Sequence, residues 1–338
     1  QISVGNRIFG ISLCVALFGV STAWSVGAMG TDGDILDAGM SESREKAEKE
    51  AAAEKKSTGG VAPERKKFAG RSFFELKAEG HIFPASDIRD SEGDLEEKGS
   101  GLELNWTSIK SFNHFTQLMT SYSERSYNVD QAPPFTGSFT EVNAVRVGST
   151  FERPFVGDWS GFVTTRLSLQ SAKGTALSDG WNVPFATGVG YRIHPTLQVS
   201  AGVLGIWQAQ IGTRVIPLVT LRWMPNDRFT LMTLNGARIS YKLGEKKQWQ
   251  VVSSILYETF VFAVTDLEGF NEDQGVVSQE YFQAQVGLLR SFGPMFEIGA
   301  YVESRFNRKF QYYKNDDKFD EFEVDSSMGF RLTGSFRF

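Results

Sequence analysis

Three histidines, His81, His114 and His194, are the side chains of this chain best suited to moving a proton near neutral pH. An imidazole activates a hydroxyl only within hydrogen-bond reach, and residues two apart on a strand share a face. The residues two positions after the histidines are Phe83, Thr116 and Thr196, so none is a serine. His114–Thr116 and His194–Thr196 are the candidate base–hydroxyl pairs. Pro195 sets the second pair inside a predicted short turn, where the two need not share a face. Polar histidines at a rim are the better reading of both. Asp87, Asp90 and Asp94 lie near His81, and the runs DSEGD (90–94) and NDDKFDEFEVD (315–325) offer the oxygen ligands that Ca²⁺ takes. Neither run has the ordered ligand spacing of a dedicated site, so solvated acidic loops are expected there. No glycine-rich phosphate cradle opens a helix. The one cysteine, Cys14, lies in an apolar N-terminal run, which leaves no disulfide or thiolate chemistry downstream. No catalytic residue, metal or cofactor is assigned.

What remains is charge, and it is patterned. In FFELKAEGHI, Phe74, Leu76, Ala78, Gly80 and Ile82 alternate with Glu75, Lys77, Glu79 and His81. In FEIGAYVESRF the apolar parity carries Phe296, Ile298, Ala300 and Val302, and the other carries Glu297, Glu303 and Arg305. The last residues, MGFRLTGSFRF, set Met328, Phe330, Leu332, Gly334, Phe336 and Phe338 against Arg331 and Arg337. Period-2 alternation means strands with one greasy face and one polar face. The same polar parity is assigned to Arg166, Arg192, Arg222, Arg238, Lys242 and Glu258. A charge facing lipid costs about 2–4 kcal/mol at the midplane for Arg or Lys, so these side chains are expected to face an enclosed lumen.

The elements that would position them are strands throughout residues 68–338. Fourteen segments are predicted, separated by alternately long and short connections. Long ones include FPASDIRDSEGDLEEKG, SYNVDQAPPFTG and YKNDDKFDEFE; short ones include IKSF, HPT, MPND and FGP. Asn235–Gly236 is read as a two-residue hairpin turn. Without that turn the later loops fall on the wrong side, and because the flanking strands are short, a count of twelve stays open. Alternation of short and long connections is the pattern of an up-and-down transmembrane β-barrel, with short turns on the periplasmic side. Trp106, Trp159, Trp223 and Trp249 sit beside short turns, and Trp181 and Trp207 near the opposite rim, all on the outward parity. They are expected to form the two interfacial girdles.

Composition agrees. Aromatic residues make up 13% of the 338, Lys+Arg (35) nearly balance Asp+Glu (40), and the net charge is −5, so no nucleic-acid partner is expected. No run of about 18 apolar residues follows the first thirty, which excludes a helical membrane protein. Residues 1–28 have the layout of a cleaved signal peptide, with Arg7 ahead of an apolar run and small residues after it. Residues 29–67, rich in Ala, Glu and Lys and lacking an apolar stripe, read as a charged periplasmic linker or helix.

The alternating terminus with Phe336 and Phe338 is similar to the C-terminal signature of bacterial outer-membrane barrels, which the insertion machinery reads. A narrower resemblance lies in GVGYRIHPTLQVSAGVLGIWQ (188–208), PLVTLRWMPNDRFTL (217–231) and ARISYKL (237–243). These segments resemble a family of outer-membrane barrels known as domain-of-unknown-function group 6268, which implies the fold and no activity. Outer-membrane phospholipases and lipid-A deacylases resemble one another in placing His two residues before a nucleophilic Ser, and that motif is absent here. The expectation is a bacterial outer-membrane barrel surrounded by lipid and lipopolysaccharide. Its lumen is a narrow passive channel for small solutes or ions or, alternatively, a packed ion-pair network in a non-conducting structural or surface-interaction barrel. The third and least favoured reading is a lipid-modifying barrel that uses His81, His114 or His194.

Overall fold

Strands with an apolar face and a polar face can bury both only by closing into a ring between lipid and an enclosed interior. The computed structural model describes residues 71–338 apart from 90, 112–113, 131–139, 234–235 and 266–273. The expected leader and linker, Cys14, Asp90 and Asn235 lie outside the described residues. The chain is all-β: β1 (Arg71–Asp87), β2 (Asp94–Ser111), β3 (His114–Asp130), β4 (Glu141–Val156), β5 (Trp159–Ala172), β6 (Trp181–His194), β7 (Leu197–Gln208) and β8 (Gly212–Trp223). It continues with β9 (Phe229–Thr233), β10 (Gly236–Leu243), β11 (Trp249–Thr265), β12 (Gln274–Phe292), β13 (Phe296–Lys314), β14 (Asp317–Val324) and β15 (Ser327–Arg337). From β1 to β14 each strand pairs antiparallel with the next, and β15 returns to pair with β1 from Glu75↔Arg337 to Ile82↔Phe330. β14 and β15 both pair with β13, one above the other, so they form a single stave interrupted at residues 325–326. The ring therefore has fourteen staves. It is an up-and-down transmembrane β-barrel.

Two predicted long loops turn out to be largely strand. β1 and β2 run on to Asp87 and Asp94, and β13 turns at Asn315 and Asp316, both at positive φ, directly into β14. Their polar outer faces had the composition of loops because they stand in water. On the membrane-level staves the outward parity is apolar and exposed: Leu76, Leu102, Val147, Val203, Val219, Val302, Phe330 and Leu332 all face out. From Met328 to Phe338, at about 3.3 Å per residue and about 40° tilt, this band covers about 25 Å of membrane thickness. Above it the outward residues become polar, as at Lys98, Ser100, Glu124 and Ser126. In the wall, Gly188 faces Gly202 across β6 and β7. A Cβ on Gly188 would lie 2.7 Å from the Gly202 Cα, so only glycine allows this approach.

The outer end, where hairpins are long, is not a simple open rim. β10 stops at Gly236↔Leu256, yet β11 continues to Thr265. Its continuation crosses to the far wall and meets β5 in a parallel bridge, Ala263↔Ser171. The extensions of β1–β5 and β11–β14 thus enclose a narrower turret. Leu95, Tyr127, Val142, Ala172, Phe260, Phe262, Val264, Val277, Phe310, Tyr312 and Val324 fill it with an apolar core. The other face of β11, Val261 and Ala263, packs on Ala209 at the β7–β8 turn.

Leu332→Arg, at mid-height on the lipid face, should lower unfolding stability in lipid vesicles by about 2–4 kcal/mol, whereas Val156→Arg at an inner turn should change it by about 0–1 kcal/mol. Urea titration followed by tryptophan fluorescence checks both.

Candidate functional site: the charged lumen

The lumen is built in tiers. At the inner end, where the connections are short, Arg337 donates to Glu75 at 2.8 Å across the seam that closes the barrel. Phe74 and Phe338 stack outside the same seam at 5.7 Å, and their backbones exchange hydrogen bonds of 2.9 and 3.0 Å. Opposite, the Glu152 carboxylate accepts from Ser160 at 2.9 Å, Gln198 at 2.6 Å and Arg222 at 3.4 Å. Arg238 and Lys242 of β10 are buried facing the lumen.

In the middle tier Arg331 reaches Glu303 at 2.8 Å and Glu79 at 3.9 Å, and also donates to Gln285. Lys77 lies 3.4 Å from Glu79. Arg146 donates to Ser123 at 3.2 Å, and Arg166 contacts the Met119 sulfur at 3.4 Å. Lys77, Glu79, Glu103, Ser121, Ser123 and Arg146 line a cavity of about 20 Å³, room for one water. Glu258 is buried on the same side of the sheet. Arg331, Glu79, Arg222 and Arg337 keep 12–20% of their side-chain surface open, whereas Lys77, Arg146, Arg166 and Glu303 are buried.

The outer tier is dry. Glu97, with no exposed surface, accepts from Arg305 at 2.5 Å and from Arg308, and lies 3.1 Å from His81 and 3.6 Å from Arg125. Arg305 is sandwiched between Phe83 at 3.7 Å and Tyr281 at 4.6 Å, and Arg125 lies 4.0 Å over Phe260. These cation–π contacts make up part of the hydration that burial removes. Gln279 completes the cluster, bonded to Tyr127 at 2.9 Å and, in the amide orientation that satisfies both neighbours, to Arg308 at 2.8 Å. The apolar turret core lies directly above.

A β-bulge makes this convergence possible. Phe282 pairs with Phe306, but Glu280 pairs with Lys309, so β13 carries one extra residue at Asn307, whose φ is +51°. Below it odd-numbered residues face inward, as Glu303 and Arg305 do; above it even-numbered ones do, as Arg308, Phe310 and Tyr312 show. Both arginines therefore reach one carboxylate.

Of the residues expected to line the lumen, Glu75, Lys77, Glu79, Arg166, Arg222, Arg238, Lys242, Glu258, Glu303, Arg305, Arg331 and Arg337 lie on the inward face. Arg192 and Glu297 end at the inner turns instead, where Arg192 holds Asp158 at 2.6 Å and Glu297 accepts from Ser291 at 2.8 Å. Another turn pair, Lys247 donating to Asp227, holds that carboxyl below the usual carboxylate range. Trp159, Trp181, Trp207, Trp223 and Trp249 are exposed and Trp106 half-exposed, all on the outer surface. Glu97, Glu103, Arg125, Arg146, Glu152 and Arg308 escaped the sequence reading. Glu97 fell in a presumed loop, Arg146 and Glu152 in a poorly alternating strand, and Arg308 behind the bulge. His194 and Thr196 do meet, Nδ1 to Oγ1 at 2.9 Å, but the Thr196 amide also donates to that nitrogen and the pair serves the turn. Thr116 accepts from Arg153 at 2.7 Å, not from His114.

No family model matches the chain, and no curated protein matches it. Among solved structures, the KdgM porin is similar at 9% identity, with 78% of this chain and 98% of that one covered and a TM-score of 0.34. The NanC porin is similar at 11% identity, covering 77% and 98%, with a TM-score of 0.35. The COG4313 outer membrane channel from Pseudomonas putida F1 is similar at 8% identity, covering 82% and 100%, with a TM-score of 0.41. All three are distant barrels, and no luminal residue is assigned from them.

Glu97→Ala leaves Arg305 and Arg308 buried without their carboxylate and should cost about 3–5 kcal/mol of unfolding stability. A urea midpoint unchanged from the native chain would show that the cluster is not what holds the outer tier together.

Proposed function

We propose that the chain is a narrow passive channel of the bacterial outer membrane for small solutes or ions, with its outer end closed by the turret core. The observation that carries this reading is the charged inner and middle lumen, where Glu79, Arg222, Arg331 and Arg337 stay partly accessible below the apolar turret. Inward bases at membrane level (Lys77, Arg146, Arg166, Arg222, Arg238, Lys242, Arg331, Arg337) outnumber the inward acids (Glu75, Glu79, Glu103, Glu152, Glu258, Glu303) among the described residues. A basic lining lowers the barrier for anions and raises it for cations. In this reading the short turns face the periplasm, the exposed belt contacts lipid and lipopolysaccharide, and residues 1–28 are removed on export. The terminal Phe336 and Phe338 engage the insertion machinery, and membership in the group 6268 family accounts for the middle segments.

One observation favours a second reading, a non-conducting structural barrel. The turret core is apolar and fully buried, and a barrel sealed in all its states would carry no solute.

Planar-bilayer recording separates the two. Discrete steps from folded protein, with a reversal potential biased toward anions under a salt gradient, are expected. Arg222→Glu should move that potential toward cations. Silence from folded protein under all voltages would leave the structural barrel as the function.

A further inference from the structure

We infer that the outer segment of β11, Tyr257 to Thr265, is a gate strand, held across the mouth by its seam with β5. The inference rests on the channel reading and names how that channel is closed. The two edges of this segment are unequally bound. Along one edge it pairs residue by residue with β12, from Trp249↔Arg290 to Thr265↔Gln274. Along the other, β10 ends beside Leu256, and among the described residues the strand pairing that the segment gains there is the bridge of Ala263 to Ser171, with Val261 and Ala263 packed on Ala209. That contact is supported by a hydroxyl pair, Thr175 and Thr265 at 3.0 Å. The short 3₁₀ turn Leu177–Gly180 wedges against it. A Cβ on Gly180 would collide with the Gln170 carbonyl and lie 2.7 Å from the Ala263 nitrogen.

What the segment carries is the seal itself. Phe260, Phe262 and Val264 are fully buried in the turret core, and Phe260 is the ring under Arg125. Swinging β11 away from β5, with β12 as its hinge partner, withdraws those side chains together and exposes the arginine tier to water. The other boundary of the turret without a ladder, β1 with β14, adds to its bridge Ile88↔Val324 two backbone hydrogen bonds and the ion pairs of Arg89 with Glu323 and Asp325. The β5 seam, held by one bridge, one hydroxyl pair and apolar packing, is therefore the less costly place for the ring to open.

The test is a reversible lock at the seam. In a Cys14→Ser background, Ser171→Cys with Ala263→Cys places two thiols at a paired position, where the Cα separation suits a disulfide. Thr175→Cys with Thr265→Cys provides a second lock should the first variant fail to fold. Single-channel recording is made on each variant, oxidised and then reduced in the same bilayer. The expected result is loss of conductance steps when oxidised and their return on reduction, with Gly180→Ala raising the open fraction over the native chain. Equal conductance in both redox states would overturn the gate while leaving the channel intact. Absence of steps in native chain and reduced variants alike would overturn the channel, and the gate with it.

Discussion

Hydrocarbon offers no hydrogen-bonding partner to a peptide group, and this constraint orders everything else in the molecule. A sheet crossing a bilayer must close on itself, because an open edge would leave a row of unsatisfied amides in lipid. Closure turns the strand's two faces into an outside and an inside, so alternation along β1, β13 and β15 becomes a division between lipid and lumen. The charges then have one place to go. Their mutual pairing follows from their confinement, since an isolated buried charge costs far more than one with a partner.

How far this was readable in advance depended on whether a residue obeyed the period of two. The terminal strand from Met328 to Phe338 did so without interruption, and its two faces and their exposure are those the sequence implied. The same held for the strand count, where short β9 and β10 had left twelve open. Glu97 was illegible for a different reason. Beyond the membrane both faces of an outward-projecting strand meet polar surroundings on one side and a small private core on the other. The acid-rich composition of residues 83–99 resembled a loop because its outward half is one in solvent terms. The crossing of β11 to β5 left one local trace, the unbroken apolar run FVFAV (260–264), the pattern of a strand buried on both faces, but nothing in that run names β5 as the partner.

The lumen divides into a wet region and a dry one, and the same residue types behave differently in each. Arg331 and Arg222 pair with carboxylates while touching water, where an ion pair is screened and exchangeable. Arg305 and Arg308 are packed against aromatic rings around one fully buried carboxylate, where moving any member exposes the others. The first arrangement suits passage of ions; the second suits a fixed wall. That both occur in one tube, stacked along its axis, is why the outer end and not the middle decides whether the tube conducts.

The bulge at Asn307 has a meaning for how β13 tolerates change. It acts as a half-period phase shift in facing, placed where the surroundings of the strand also change. Up to Arg305 the even positions face lipid and the odd ones the charged lumen; from Arg308 onward the even positions face inward, and Phe310 and Tyr312 enter the apolar turret core while Lys309 and Gln311 face out. Flattening the bulge with Asn307 retained would turn Lys309 and Gln311 into the turret and eject Phe310 and Tyr312, whereas deleting Asn307 would leave the facing of both unchanged. One added residue, looped out of the ladder, thus keeps the rest of the strand on its proper face.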